Sequence, residues 1–306
     1  MQSHTFRKII LCVLLPVLLW ASASLFLSAV PQAGETLSES SRVYLFAPAC
    51  LHRGEKNSIA PTDITIQEGL LTVLKPPMES GGYTWLYIRD TRGNEGWIHE
   101  HLTSGEPEAL APGKTAAIGQ ERVDYYNALP HDYKPSDLVP LPMRYCRIRQ
   151  IELRKEAADA FIELHEAAAR AGLPIYGFSG YRSYAAQREL YLNRIKIGEK
   201  HRQRYVARPG HTEHQLGTVL DVVGNDVNFA AHNGFDRTPY AAWLRGECYR
   251  YGFVLSYGKD NTQPTGYAYE SWHIRYIGRE NALHWIRGHI APDNPVYKKY
   301  ILNSRS

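Results

Sequence analysis

The segment Pro209-Gly210-His211-Thr212-Glu213-His214-Gln215-Leu216-Gly217-Thr218-Val219-Leu220-Asp221 sets an imidazole, His214, and a carboxylate, Asp221, seven residues apart. Further on, Tyr269-Glu270-Ser271-Trp272-His273 adds a second carboxylate and a second imidazole. A hydrolytic zinc takes three N or O ligands and keeps one position for water, so two His, one Asp and a separate Glu as base make a sufficient set. Asp221 lies in the apolar run VLDVV. An ionised carboxylate there is costly to desolvate unless a metal or a cation meets it. The chain has no H-E-x-x-H helix, so zinc chemistry needs another scaffold. With 13 His in the chain, spacing alone leaves His211 as an alternative to His214, and Asp226 as an alternative to Asp221.

Elements must bring these residues together. Glu270 and His273 are three apart and would point to opposite faces of one strand, so the strand must begin near Trp272 with Glu270 on its lead-in. Leu153, Ala157, Ala160, Phe161, Leu164 and Ala168 repeat at helical spacing, with Gly172 and Pro174 as stop signals. Residues 175–178 read as a strand, and Ser183 can cap a helix through Gln187, Leu190 and Ile195. Thr238-Pro239 opens another helix ending near Gly252, and 281–287 suggests a last one. Residues 219–223, 253–257 and 272–276 supply further strands.

The whole chain has 306 residues, 35 basic and 31 acidic, a net charge of +4, and 44% apolar and 11% aromatic residues. This is globular composition, and the charge excludes a strongly nucleic-acid-like balance. At ~150 residues per domain the length suggests about two domains. Arg7 and Lys8 precede residues 9–30, where only Pro16, Ser22, Ser24 and Ser28 are not apolar. Residues 1–34 thus read as a signal peptide, with Ala21-Ser22-Ala23 as cleavage site, or as a membrane anchor, and the rest as exported to the cell envelope. Cys12 follows Leu11, a poor match to a lipoprotein site. Cys50, Cys146 and Cys248 form no C-x-x-C pair, and Cys146 with Cys248 is the one pairing conceivable within the second domain. Residues 42–104 carry short strands at 43–47, 70–74, 83–89 and 96–99 and suggest a small β-barrel; 105–120, rich in Gly, Pro and Ala, reads as a linker to a second domain at 121–303.

The run Thr84-Trp85-Leu86-Tyr87-Ile88-Arg89-Asp90, then Gly93, then Gly96-Trp97-Ile98, resembles the last hairpin of a bacterial SH3-like domain. That resemblance implies a cell-wall binding or positioning module, although Trp85 and Trp97 would serve equally as core residues. Ser179-Gly180-Tyr181-Arg182-Ser183 with Gln187, then Glu213-His214-Gln215 with Gly217 and Asp221, then Glu270-Ser271-Trp272-His273 with Arg275-Tyr276, resemble the three blocks of VanY-like D-alanyl-D-alanine carboxypeptidases. Leu129-Pro130, Tyr133, Pro135 and Asp137-Leu138-Val139 resemble that family's lead-in, so the likeness runs from 122 to 290 in order.

The resemblance implies an α+β, Hedgehog/DD-peptidase-like fold with an antiparallel sheet flanked by helices. It implies Zn2+ held by His214, Asp221 and His273, with Glu270 as general base and Arg182 as the catalytic cation. Gln187, Thr212 and Trp272 would face the substrate. Thr212 stands where the family usually has Ser, and Ser271 where it has Pro. Arg208 or Arg275 could take a second cationic role, on a substrate carboxylate or an oxyanion. The implied function is removal of a C-terminal D-alanine from peptidoglycan stem peptides. An L,D-carboxypeptidase acting on tetrapeptide stems, and a non-catalytic wall-binding protein with a structural zinc, are the alternatives. A serine mechanism is weak: Ser256-Tyr257-Gly258-Lys259 satisfies S-x-x-K, but there is no K-T-G, and Ser179 sits in GFSGY rather than G-x-S-x-G.

Overall fold

The computed structural model describes residues 37–55, 58–105, 117–119, 121, 123–196, 204–225, 233–259 and 265–289. The apolar N-terminal run with Cys12, most of the 105–120 stretch, and Asp226 lie outside the described residues. Among those described, no helix is long and apolar enough to cross a membrane.

Seven strands come first: β1 (Arg42–Leu45), β2 (Ala49–Arg53), β3 (Ala60–Ile66), β4 (Gly69–Ser80), β5 (Tyr83–Arg89), β6 (Glu95–His99) and β7 (Thr103–Gly105). They pair antiparallel in the order β3-β2-β6-β5-β4-β1-β7. Gly81 and Gly82, both at positive φ (60° and 78°), join β4 to β5 where Ser80 faces Tyr83. That is the two-residue loop whose twist matches the flanking strands and which glycine adopts without strain. Leu45, Leu51, Val73, Leu86 and Ile88 are fully buried in this unit's core. Trp85 and Trp97 are core residues too, and each indole N–H is bonded to a backbone carbonyl, of Ser80 and Gly54 respectively.

The second sheet runs β10 (Tyr176–Ser179), β11 (Val219–Val223), β13 (His273–Tyr276), β12 (Phe253–Val254), all antiparallel, beside a two-stranded ribbon of β8 (Leu138–Pro140) and β9 (Glu152–Arg154). Helices α1 (Lys155–Arg170), α2 (Tyr184–Lys196), α3 (Pro239–Glu247) and α4 (Arg279–His289) accompany it. Phe161 and Leu164 of α1 share a buried cluster with Leu220, Val222 and Ile274. Side chains alternate along a strand, so Asp221, His273 and Arg275 are turned to the face away from this core. The 253–257 strand expectation is shortened to Phe253–Val254. Beyond it the Tyr257 carbonyl accepts from the Glu270 N–H at 3.0 Å and the Ser256 hydroxyl bonds to Glu213, so neither continues the ladder.

The N-terminal sheet packs directly on the second unit. Phe46, wholly buried, meets the ring of Tyr191 on α2 edge-on at 5.7 Å. Arg188 of the same helix donates to the Phe46 carbonyl and pairs with Glu68. Gly105, read from composition as linker, is instead paired with Val43 in β7, and its N–H donates to His211 Nε2 at 3.1 Å. Phe46→Ala is expected to cost about 3–5 kcal/mol of stability, measured as a fall in the urea midpoint of the intact chain.

Two histidines near this contact are held neutral. Burial pushes His211 far below its ordinary value, with Arg208 adding to it. Burial, His99 and Arg208 push His101 down to about 4. Unfolded, each takes a proton near 6.5, so between that pH and the folded value the unfolded chain binds more protons, and the stability these groups contribute is lost as pH falls. The stability deficit of His101→Gln at pH 7 should therefore shrink by pH 5, as read by paired urea titrations. A deficit independent of pH would contradict a neutral His101. Cys50, Cys146 and Cys248 are all free. The Cys146–Cys248 pairing is not made, because the Cys146 thiol points to Leu141 and Pro142 carbonyls and that of Cys248 to the Phe253 carbonyl.

Candidate metal centre and its cleft

Strand register builds the core of the site. Asp221 on β11 lies directly opposite His273 on β13 and, on its other side, opposite Ser179 of β10. Directly opposed residues on one face bring their Cβ atoms to about 5 Å. Asp221 Oδ1 is 3.2 Å from His273 Nδ1. The third group arrives on a short 3-10 turn, Glu213–Leu216. Thr212 caps it, its hydroxyl accepting the His214 N–H at 3.3 Å, and Gly217 closes it at φ 73°, where a Cβ would also approach Leu138 Cδ2 to 2.9 Å.

His214 Nδ1–H donates to the Gly180 carbonyl at 2.8 Å, which leaves the Nε2 lone pair aimed at Asp221 Oδ2, 3.2 Å away. His273 is oriented the other way. Its Nε2–H donates to Glu213 Oε2 at 2.9 Å and Nδ1 turns inward. One ligand atom each from His214, Asp221 and His273 lie within 4.8 Å of one another, all three residues being buried, and this trio could hold a metal ion. Two imidazoles and a carboxylate, with both rings fixed by bonds on their far nitrogens, is a donor set suited to zinc.

Electrostatics fits a dication. Burial opposes charge on Asp221, but His214 and His273 overcome it and hold the carboxyl far below the usual range. Burial pushes His273 down, yet its bonds to Asp221 and Glu213 raise it to about 10. The field that keeps a proton on His273 equally favours a metal in its place, so loading the site should release protons. Glu270 sits on the lead-in to β13, with Oε2 3.6 Å from His273 Nδ1. Burial, against the attraction of His273, pushes its carboxyl up to about 7.

These groups line a cleft of about 610 Å3 together with Arg149, Ser179, Arg182, Gln187, Thr212 and Trp272. Arg182 is fixed at its tip: Nη1 donates to Gln187 Oε1 at 2.7 Å and Nη2 to the Ser179 hydroxyl at 3.1 Å. Gln187 is nearly inaccessible and its amide nitrogen is spent on the Ala207 carbonyl, so this side chain braces Arg182 rather than offering itself to a ligand.

The other sequence alternatives find different places. His211 is fully buried with Nδ1 bonded to the Asp124 carbonyl and Nε2 to Gly105, so it has no lone pair for a metal. Arg208 donates to the Thr103 and Tyr125 carbonyls and faces Glu100, and Arg275 is bonded to Glu213 and Glu121; neither lines the cleft. Ser256 and Lys259 are not partners, since the serine hydroxyl donates to Glu213 and the lysine reaches Asp236.

The residue that motif reasoning passed over is Glu213. Its Oε1 accepts from Arg275 Nη1 at 2.7 Å, and its Oε2 from Ser256 at 2.6 Å and from His273 at 2.9 Å. Burial works against its charge, but Arg275, His273 and Ser256 hold it at about 2. A carboxylate bonded to the far nitrogen of a metal-facing histidine fixes that ring's tautomer and raises its basicity. Unlike Asp221 in its apolar VLDVV run, Glu213 stands among polar residues, Thr212, His214 and Gln215, so nothing in its immediate sequence signals its burial.

Residues 150–279 match the VanY family, described as D-alanyl-D-alanine carboxypeptidase. The chain is 37% identical over 159 residues to the putative carboxypeptidase YodJ of Bacillus subtilis (strain 168), covering 51% of this chain and 58% of that one. It is 35% identical over 129 residues to a D-alanyl-D-alanine carboxypeptidase of Enterococcus faecium, covering 42% and 38% respectively. It therefore spans less than two thirds of the length of these relatives. Among solved structures, that of the LdcB LD-carboxypeptidase aligns with a TM-score of 0.50 at 34% identity, over 58% of this chain and 84% of that one.

Proposed function

Because residues 150–279 belong to the VanY family of D-alanyl-D-alanine carboxypeptidases, we propose that this protein is a zinc carboxypeptidase that removes a C-terminal D-alanine from peptidoglycan stem peptides. The observation that carries the reading is the convergence of His214, Asp221 and His273 in one buried trio, with the unligated carboxylate of Glu270 beside it in the same cleft. His214, Asp221 and His273 would hold the zinc, which when bound supplies Lewis acidity toward the scissile carbonyl and the attacking water.

The chain's own residues do the rest. Glu270, with a carboxyl near 7, accepts the proton of the attacking water and returns it to the departing amine. Arg182, braced by Gln187 and Ser179, is the fixed cation for the substrate's negative charge, a role in which a planar guanidinium binds carboxylate through two N–H groups. Thr212 and Trp272 line the cleft that receives the peptide end. The N-terminal sheet, as an SH3-like module, would place the enzyme on the cell wall, and the apolar N-terminal segment would export or anchor it.

The D,D- and L,D-specificities give different products. The likeness to the LdcB LD-carboxypeptidase favours tetrapeptide stems as a second reading. Mass spectrometry of pentapeptide and tetrapeptide stems incubated with the protein tests both. Loss of one alanine from pentapeptide, abolished by chelator and restored by zinc, is the expected result. Loss from tetrapeptide alone would make the enzyme an L,D-carboxypeptidase, and no cleavage by a zinc-loaded chain would leave a wall-binding protein with a structural metal.

A further inference from the structure

The cleft holds more cationic charge than a single terminal carboxylate needs. Besides Arg182 it is lined by Arg149, from the loop before β9, Arg194, from the last turns of α2, and Arg204, from the segment leading to His211. Its only carboxylates among the described lining residues are Asp221 and Glu270, both at the metal end. Arg149, Arg194 and Arg204 are exposed and have no acidic partner among the described residues. Arg149 and Arg182 line the same cleft, and the charge of Arg149 works against that of Arg182. Two other exposed arginines of this unit do have acidic partners, Arg279 with Glu163 and Arg245 with Asp236. A concave surface lined by one sign of charge focuses its field and attracts ligands of the opposite sign.

We infer that the cleft selects peptides with a free carboxylate on the residue upstream of the D-alanine end, such as a diaminopimelate side chain, over peptides with a carboxamide or a lysine there. The inference rests on the carboxypeptidase reading and names the substrate class of the same site. The terminal carboxylate occupies one guanidinium; a second carboxylate meets the others. A lysine ammonium in its place brings like charges together, which disfavours binding. The preference should act mainly on KM, because these arginines meet the peptide equally before and during the reaction.

The test uses three stem peptides that share the same cleaved bond and differ only at the third residue: meso-diaminopimelate, its side-chain carboxamide, and L-lysine. With the wild-type protein at low salt, kcat/KM for the diaminopimelate peptide should exceed that for the carboxamide by about tenfold, with lysine lower still, and the gap should narrow at high salt. The triple variant Arg149→Gln, Arg194→Gln, Arg204→Gln should bring carboxylate and carboxamide to within about twofold. The same three peptides titrated onto the Glu270→Gln protein give Kd ratios that need no turnover. Equal kcat/KM and equal Kd for carboxylate and carboxamide, or a preference that the triple variant leaves intact, would overturn the inference. Ordered Kd values with no cleavage of any peptide by the wild type would uphold the selectivity and overturn the carboxypeptidase reading instead.

Discussion

Glu270→Gln is expected to lower kcat by about 100- to 10,000-fold while the protein still binds zinc. Glutamine has the shape of glutamate but cannot accept the water's proton. It leaves the metal trio untouched, because Glu270 Oε2 stands 3.6 Å from His273 Nδ1 and the trio is complete without it. The fold should also hold, since what fixes this residue's backbone is its N–H bond to the Tyr257 carbonyl at 3.0 Å. Alanine release measured by mass spectrometry, beside metal content measured by atomic emission, separates the two effects. Full turnover in a metal-replete variant would remove Glu270 from the role of base.

Glu213→Gln should do the opposite: weaken metal binding by about 10- to 100-fold and also destabilise the fold by about 3–5 kcal/mol. Every neighbour of this carboxylate is a donor: the Arg275 guanidinium, the Ser256 hydroxyl and His273 Nε2–H. An amide has only one acceptor oxygen, so its NH2 must face either Arg275 or the Ser256–His273 pair, and a buried donor is left facing a donor. If the amide turns toward His273, the ring loses the bond that keeps its Nδ1 lone pair inward. If it turns toward Arg275, a buried charge loses its closest counter-charge. Zinc affinity by competition with a chromophoric chelator and stability by urea titration report the two consequences. A variant unchanged in both would show that Glu213 serves neither.

Much of this arrangement was legible in residue types. VLDVV marked the strand at Val219–Val223, the apolar spacing from Ala157 to Ala168 marked α1 with its stop at Gly172, although Leu153, counted with that spacing, lies in β9, and Thr238-Pro239 marked the start of α3. The placing of Glu270 ahead of the strand followed from the opposite faces of alternate residues, and β13 does begin after it, at His273. What stayed hidden were relations between segments. β4 runs on to Ser80 through Pro76 and Pro77, which argue against a strand; they are accommodated where the register with β5 shifts between Lys75 and Met78, so the prolines sit at a bulge. Arg208, an attractive substrate cation by type, is drawn into the contact with the N-terminal sheet because Thr103 and Glu100 lie across from it. Nothing local in either segment announces that meeting.

The strand order of the second sheet has a consequence for how the site comes into being. β13, the last strand among the described residues, enters the middle, between β11 and β12, and brings His273 with it. Until it arrives, β12 has no neighbour in that sheet and Asp221 faces an empty lane on one side. A nascent chain that has emerged as far as Asp221 therefore carries two of the three metal-facing groups and no base, on an unfinished sheet. Closure of the sheet and completion of the candidate metal centre are one event, and the three metal-facing groups meet only once β13 has been made.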